Sequence, residues 1–110
     1  MKVEHKGHTI HIKDTQLDIP HLIHCIESDL IQFGQHNLIV DLSRHTQITT
    51  KDLQAFLPLI KLVKKNKKSF IFVAPSADFN AIPTSIVAVP SLLEAHDLIE
   101  MDEIERDLGF

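Results

Sequence analysis

The sequence predicts an α/β domain in which helices pack on a mixed, mostly parallel sheet of about five strands. Two observations carry the class. Strand-length apolar runs, Asn37 to Leu42 and Ser69 to Ala74, are separated by longer segments whose apolar residues recur every three or four positions. Runs of that kind suit strands covered on both faces, as the central strands of a parallel sheet are. A third observation sets the size: 110 residues, 44% of them hydrophobic, suffice for one core and not for two, so a single domain over residues 1–110 is expected.

Lys2-Val3-Glu4-His5 and the run from His8 to Lys13 alternate in polarity around Lys6-Gly7, where glycine supplies the positive φ of a tight hairpin. From Ile19 the period lengthens. Ile19, Leu22, Ile23, Ile26, Leu30 and Phe33 share one helical stripe, Asp18 is placed to cap it, Pro20 fits a first turn and Gly34 a C-terminal stop. Asn37 to Leu42 is the central-strand candidate. After it, Thr49-Thr50-Lys51-Asp52 offers hydroxyl caps and an early acid, and Leu53, Phe56, Leu57, Ile60 and Val63 form the buried stripe of a second helix. Pro58 lacks a backbone donor and is expected to kink that helix or shift its start. Lys64, Lys65, Lys67 and Lys68 close it, where positive charge suits the carbonyl end. Ser69 to Ala74 is the next strand, the loop from Pro75 to Pro83 holds one short turn, and Ile86 to Val89 is a brief last strand. Ser91-Leu92-Leu93-Glu94 has the capping-box pattern and opens a C-terminal helix. Right-handed crossovers would join the parallel pairs.

Composition narrows the function classes. The net charge of −4 gives no general attraction to phosphate backbones or anionic membranes, and with neither Trp nor Tyr present, platforms for stacking bases are scarce. Nucleic acid is therefore an unexpected partner. No window reaches the roughly 20 apolar residues of a membrane span, and MKVEHKGHTI lacks the apolar core of a secretory signal. One cysteine, Cys25, cannot form an internal disulfide; these features together point to the cytoplasm. Three glycines are too few and too scattered for a phosphate-cradling loop. His21, His24 and Cys25 offer good zinc ligands on one helix but lie away from its apolar stripe with no evident fourth ligand, so no metal or other cofactor is expected. His36 and His45 flank the central strand without a serine, cysteine or acid at a catalytic spacing, and no enzyme activity is expected. The metal-holding H-x-H-x-D-H cluster of metallo-β-lactamase-type ribonucleases is likewise missing, since His8 and His11 would point to opposite faces of a strand.

Asn37-Leu38-Ile39-Val40-Asp41-Leu42-Ser43, then Ile48-Thr49-Thr50-Lys51-Asp52-Leu53-Gln54-Ala55-Phe56-Leu57, resembles the STAS domains, named for sulfate transporters and anti-sigma-factor antagonists. The strand from Phe70 to Ala74 and Ser91-Leu92-Leu93-Glu94-Ala95 extend the likeness over most of the chain. The resemblance implies a STAS-like α/β sandwich and a bacterial, non-enzymatic regulatory module that binds another protein. It also implies a docking site at the start of the second helix, where the family carries a phosphorylated serine. Lys51 stands at that position here, with Thr50 before it and Asp52 in place of the usual glycine. A fixed positive charge is opposite in sign to a phosphate, so the resemblance implies a relative that does not switch, or one that uses Thr49 or Thr50. The alternative is an accessory protein of RNA processing, associated with ribonuclease Z without having its metal site.

Helical projection adds a second pointer. Lys51, Ala55, Pro58 and Leu62 fall at i, i+4, i+7 and i+11, a partly apolar strip opposite the buried stripe. The expected partner-binding residues are accordingly Thr49, Thr50, Lys51, Asp52, Ala55, Pro58 and Leu62. Leu62 is the open case, being either part of this strip or the border of a wide core contact. In the last helix Met101, Ile104 and Leu108 form a stripe rotated from that of Leu92, Ala95 and Ile99. Either the helix breaks near Glu100 or its end meets a second chain, which makes a homodimer through this helix an option.

Overall fold

The computed structural model describes residues 2–13, 18–29, 35–45 and 48–109, the Phe79 side chain excepted. Strands β1 (Lys2–Lys6) and β2 (Thr9–Lys13) pair antiparallel, with Lys6 opposite Thr9. Gly7 opens the two-residue turn between them at φ +59°, a conformation that other residues reach only with strain. Then come α1 (Ile19–Ser28), β3 (Asn37–Asp41), α2 (Thr50–Gln54), α3 (Leu57–Lys65), β4 (Phe70–Val73), a 3₁₀ turn at Phe79–Ala81, β5 (Val87–Val89) and α4 (Leu92–Asp107). The strands lie in the order β1-β2-β3-β4-β5, and β2 to β5 are parallel to one another. The five-stranded, mostly parallel sheet is thus as the apolar runs predicted.

Side-chain alternation divides the core in two. Ile10, Ile12, Leu38, Val40, Phe70 and Phe72 point to one face, where they meet Leu22 and Ile26 of α1, Leu53 of α2, Phe56, and Leu59, Ile60 and Val63 of α3. Ile39, Ile71 and Val73 point to the other, against Ala95 and Ile99 of α4. A strand order without reversal, crossed repeatedly with one hand, returns to the same face each time, so α1, α2 and α3 share a side and α4 is left to cover the opposite one. β3 and β4 are therefore buried on both sides, which is the physical reason for their unbroken apolar sequences.

Two expectations about helices change. The second helix is two helices: α2 ends at Gln54, Ala55 and Phe56 form a turn, and α3 starts afresh with Pro58 in its first turn. A missing N–H costs nothing there, because the first N–H groups of a helix have no intrahelical acceptor. The last helix does not break near Glu100 but runs unbroken from Leu92 to Asp107. The caps are close to those expected. Asp18 accepts from the His21 N–H at 2.8 Å, and Ser91 Oγ accepts from the Glu94 N–H at 3.3 Å. The Glu94 carboxylate accepts from the Ser91 hydroxyl at 3.1 Å, where a full capping box would use the Ser91 N–H. Leu30, Phe33 and Gly34 lie outside the described residues.

Polar residues at the N-terminal ends of β3 and β4 pin the far half of α4. Buried Asn37 accepts from the Ser69 N–H through Oδ1 at 2.8 Å and donates from Nδ2 to Glu103 Oε1 at 2.7 Å. Ser69 Oγ donates to Asp102 at 2.7 Å and accepts from Arg106 at 2.6 Å. Among the described residues no helix is long and apolar enough to cross a membrane.

Candidate functional site

Loops leave the C-terminal ends of the parallel strands, the end of an α/β sheet where binding residues commonly gather. The loop after β3 leads into α2, and it is tied to the loop after β4 by Ser76 Oγ, which donates to the His45 carbonyl at 2.9 Å. Thr49, the residue before α2, completes a capping box that the sequence signalled only as hydroxyls followed by an acid. Its Oγ1 accepts from the Asp52 N–H and its own N–H donates to Asp52 Oδ2, each at 3.1 Å. Such a cap contributes about 1 kcal/mol to a helix end. Thr50 is half-buried and donates its hydroxyl to the Ala81 carbonyl at 3.4 Å.

None of the seven expected docking residues is buried: Thr49, Lys51, Ala55, Pro58 and Leu62 are exposed, and Thr50 and Asp52 are half-buried. Leu62, the undecided one, is 40% exposed and outside the core. The strip does not run along one straight helix, however, because the turn at Ala55 and Phe56 interrupts it. Of the two threonines, Thr49 has the accessible side chain, although its hydroxyl already serves as the cap.

A second constellation escaped the sequence. On the sheet face beside α4, His11 has a side chain only 8% exposed, with Nδ1 3.8 Å from Glu4 Oε2 and Nε2 3.4 Å from Asp41 Oδ2. Its Nε2 finds no hydrogen-bond partner among the described residues. Hairpin register puts Glu4 opposite His11, and parallel register puts Asp41 one pleat beyond Ile39, the neighbour of His11. The alternation of Thr9, His11 and Lys13 was the only sequence signal, and it could not name Asp41. Lys13 donates to Glu4; that bond and the lysine's charge hold the Glu4 carboxyl below its ordinary value of 4.5, with His11 adding less.

A cleft of about 400 Å³ opens next to this cluster, lined by Glu4, His5, Lys6, His11, Leu92 and His96. His96 is pushed below its ordinary 6.5, first by burial, then by the charges of Lys6 and His11, with Asp97 opposing. A histidine depressed in the folded state binds protons more readily when unfolded, so its contribution to stability is present above pH 6.5 and is lost as pH falls below it. The melting-temperature difference between wild type and His96→Gln should therefore shift between pH 7 and pH 5. A difference that stays constant over that interval would contradict the assignment. Glu4 adds a separate loss below pH 4.5, since its depressed carboxyl stabilises the fold only while ionised.

Other candidates stand apart. His21 and His24 are exposed on α1 and Cys25 is half-buried. Among the described residues no group of three His, Cys, Asp or Glu side chains could hold a metal ion. His36 packs edge-on against His5, with ring centroids 5.9 Å apart. The lysines at and beyond the end of α3 border a cleft of about 560 Å³ lined by Lys64, Lys67, Lys68 and Arg106 but also by Asp102 and Glu105.

No family model matches the chain. No curated protein matches it either, so function has to be read from the geometry of its own surfaces.

Proposed function

We propose that the chain is a non-enzymatic, STAS-like regulatory module of the cytoplasm that binds another protein through the surface running from Thr49 along Lys51, Ala55 and Pro58 to Leu62. The observation that carries this is the exposure of Leu62 at the end of a small, partly apolar strip where a solvated helix would carry charge. The element order of hairpin, helix, strand, helices, strand, strand and helix, close to the one read from the sequence, is compatible with this reading. Lys51, an exposed positive charge at the position that the resemblance aligns with the family's phosphorylated serine, supports a module that does not switch at that residue, leaving Thr49 and Thr50 as the alternative acceptors. Catalysis is not part of the proposal. His11, the histidine closest to two carboxylates, borders a cleft whose lining, among the described residues, includes no serine or cysteine for it to activate. An accessory role in RNA processing would call for a cationic groove, and the lysine cleft falls short of one because Asp102 and Glu105 halve its charge.

The test starts from affinity purification in the native host, followed by binding measurements with the purified partner. Leu62→Glu puts a charge where the partner would have to desolvate it, so affinity should fall on the order of tenfold to a hundredfold. At an exposed position the same change should leave the melting temperature within a few degrees. Lys51→Glu should weaken binding without unfolding, as a phosphate at that position would. Unchanged affinity in both folded variants, or no stoichiometric partner at all, would refute the proposal.

A further inference from the structure

Because α4 is unbroken, its sixteen residues project two separate faces. The inner face, with Ala95 and Ile99 buried and Leu92 and Leu98 half-buried, packs on β3 to β5. On the outer face Leu93 is 72%, Met101 57%, Ile104 52% and Leu108 67% exposed, the four most exposed large apolar side chains among the described residues. At about 100° per residue these four fall within an arc of about 80°, running about 22 Å along the axis. A patch of this kind, on the order of 400 Å², is the size at which exposed apolar surface on a monomer is commonly functional.

Charge says what can cover it. Glu94, Asp97, Glu100, Glu105 and Asp107 are the exposed charged residues of α4, and all five are acidic. The helix's one base, Arg106, is turned inward onto Ser69. Seven of the chain's fifteen acids lie in this helix, which leaves eight acids against ten bases elsewhere. Asp102 and Glu103 face the sheet, so the five exposed acids are the ones on the outer side: Glu94, Glu100, Glu105 and Asp107 border the apolar residues, and Asp97 lies among them between Leu93 and Met101. A second copy packed symmetrically on it would bring carboxylates against carboxylates, over roughly half of the 800 Å² per partner typical of a stable interface. Anionic membranes are repelled for the same reason.

We infer that the outer face of α4 is a docking site for an amphipathic helix of another protein, one that lays leucine-like residues on Leu93, Met101, Ile104 and Leu108 and flanks them with lysine or arginine. This surface is separate from the strip between Thr49 and Leu62, so the two can fail independently. Helix-on-helix docking of this type takes its affinity from the apolar seam and its orientation and selectivity from the flanking charges.

The probe is a labelled synthetic 18-residue peptide with leucines at helical spacing and lysines elsewhere, compared with the same peptide carrying glutamates for lysines. Fluorescence anisotropy should give a Kd on the order of tens of micromolar for the lysine peptide, several-fold weaker when salt is raised from about 50 to 300 mM. The glutamate peptide should not bind. Ile104→Lys should weaken the lysine peptide at least about tenfold at an unchanged melting temperature. Glu100→Lys with Glu105→Lys leaves three exposed acids against two lysines on the helix, so it should weaken the lysine peptide several-fold and narrow its advantage over the glutamate peptide. The inference is overturned by equal binding of both peptides, by no binding at about 1 mM, or by indifference to Ile104→Lys. It is also overturned if sedimentation shows a wild-type dimer that Ile104→Lys dissociates, or if phosphatidylcholine vesicles compete the peptide away.

Discussion

Replacing Phe72 by Ala should lower the stability of the protein by about 4 kcal/mol. Phe72 is wholly buried on β4 at the middle of an aromatic trio. Its ring centroid lies 4.9 Å from that of Phe56, at 73°, and 5.2 Å from that of Phe70, at 59°. These are edge-to-face and tilted geometries, which add about 0.5–1.5 kcal/mol per pair to the burial itself. Truncation removes both contributions and leaves a cavity between β4 and the junction of α2 and α3. The walls there are a β-strand and a helix start, which collapse only in part. A domain of this size holds about 5–15 kcal/mol in all, so the melting temperature should drop on the order of 15 °C. Urea unfolding checks it: the midpoint should move and the slope should not. A loss below about 1.5 kcal/mol would mean that the ring trio is not the centre of the core.

Asn37→Leu should cost about 3 kcal/mol although the two side chains share the same branched skeleton of heavy atoms. Asn37 is fully buried and is the link between β3, the start of β4 and α4. Leucine leaves the buried Ser69 N–H without its acceptor and the Glu103 carboxylate against a methyl group. Each loss costs about 1–3 kcal/mol, more where the group is charged. The effect should be concentrated in α4, whose second half is held to the sheet mainly by this network. Hydrogen exchange should accordingly speed up from Met101 onward more than in β3. Combining Asn37→Leu with Glu103→Leu should recover on the order of 1–2 kcal/mol, because the second change removes the carboxylate the first stranded. Strict additivity of the two changes would show that the contact carries no coupling.

The same residues separate local from non-local information. Gly7 in the hairpin, Asp18 and Ser91 at helix starts, and the unbroken strands Asn37–Asp41 and Phe70–Val73 were legible because each depends on neighbours within a few positions. Periodicity projected Lys51, Ala55, Pro58 and Leu62 along one helix, but the turn at Ala55 and Phe56 divides that helix in two, and the exposure of Leu62 also needed the folded chain to settle it. Pro58 announced a disturbance without its form. The helix ends before Phe56 and restarts after it, with that ring packed against Phe72 and, farther off, Phe70, a contact made across sheet and helix. In α4 the periodicity exposed two apolar stripes but could not tell a broken helix from a two-faced one. The bonds from Asn37 and Ser69 to Glu103, Asp102 and Arg106 hold the second half of the helix on the sheet. Likewise Glu4, His11 and Asp41 come from three strands, and no spacing within the chain contains their meeting. Local sequence determined which segments become strands and helices and which side of each is apolar. Tertiary structure alone decided which polar residues meet, because strand register and helix docking are set by the summed burial of the whole core and not by any one segment.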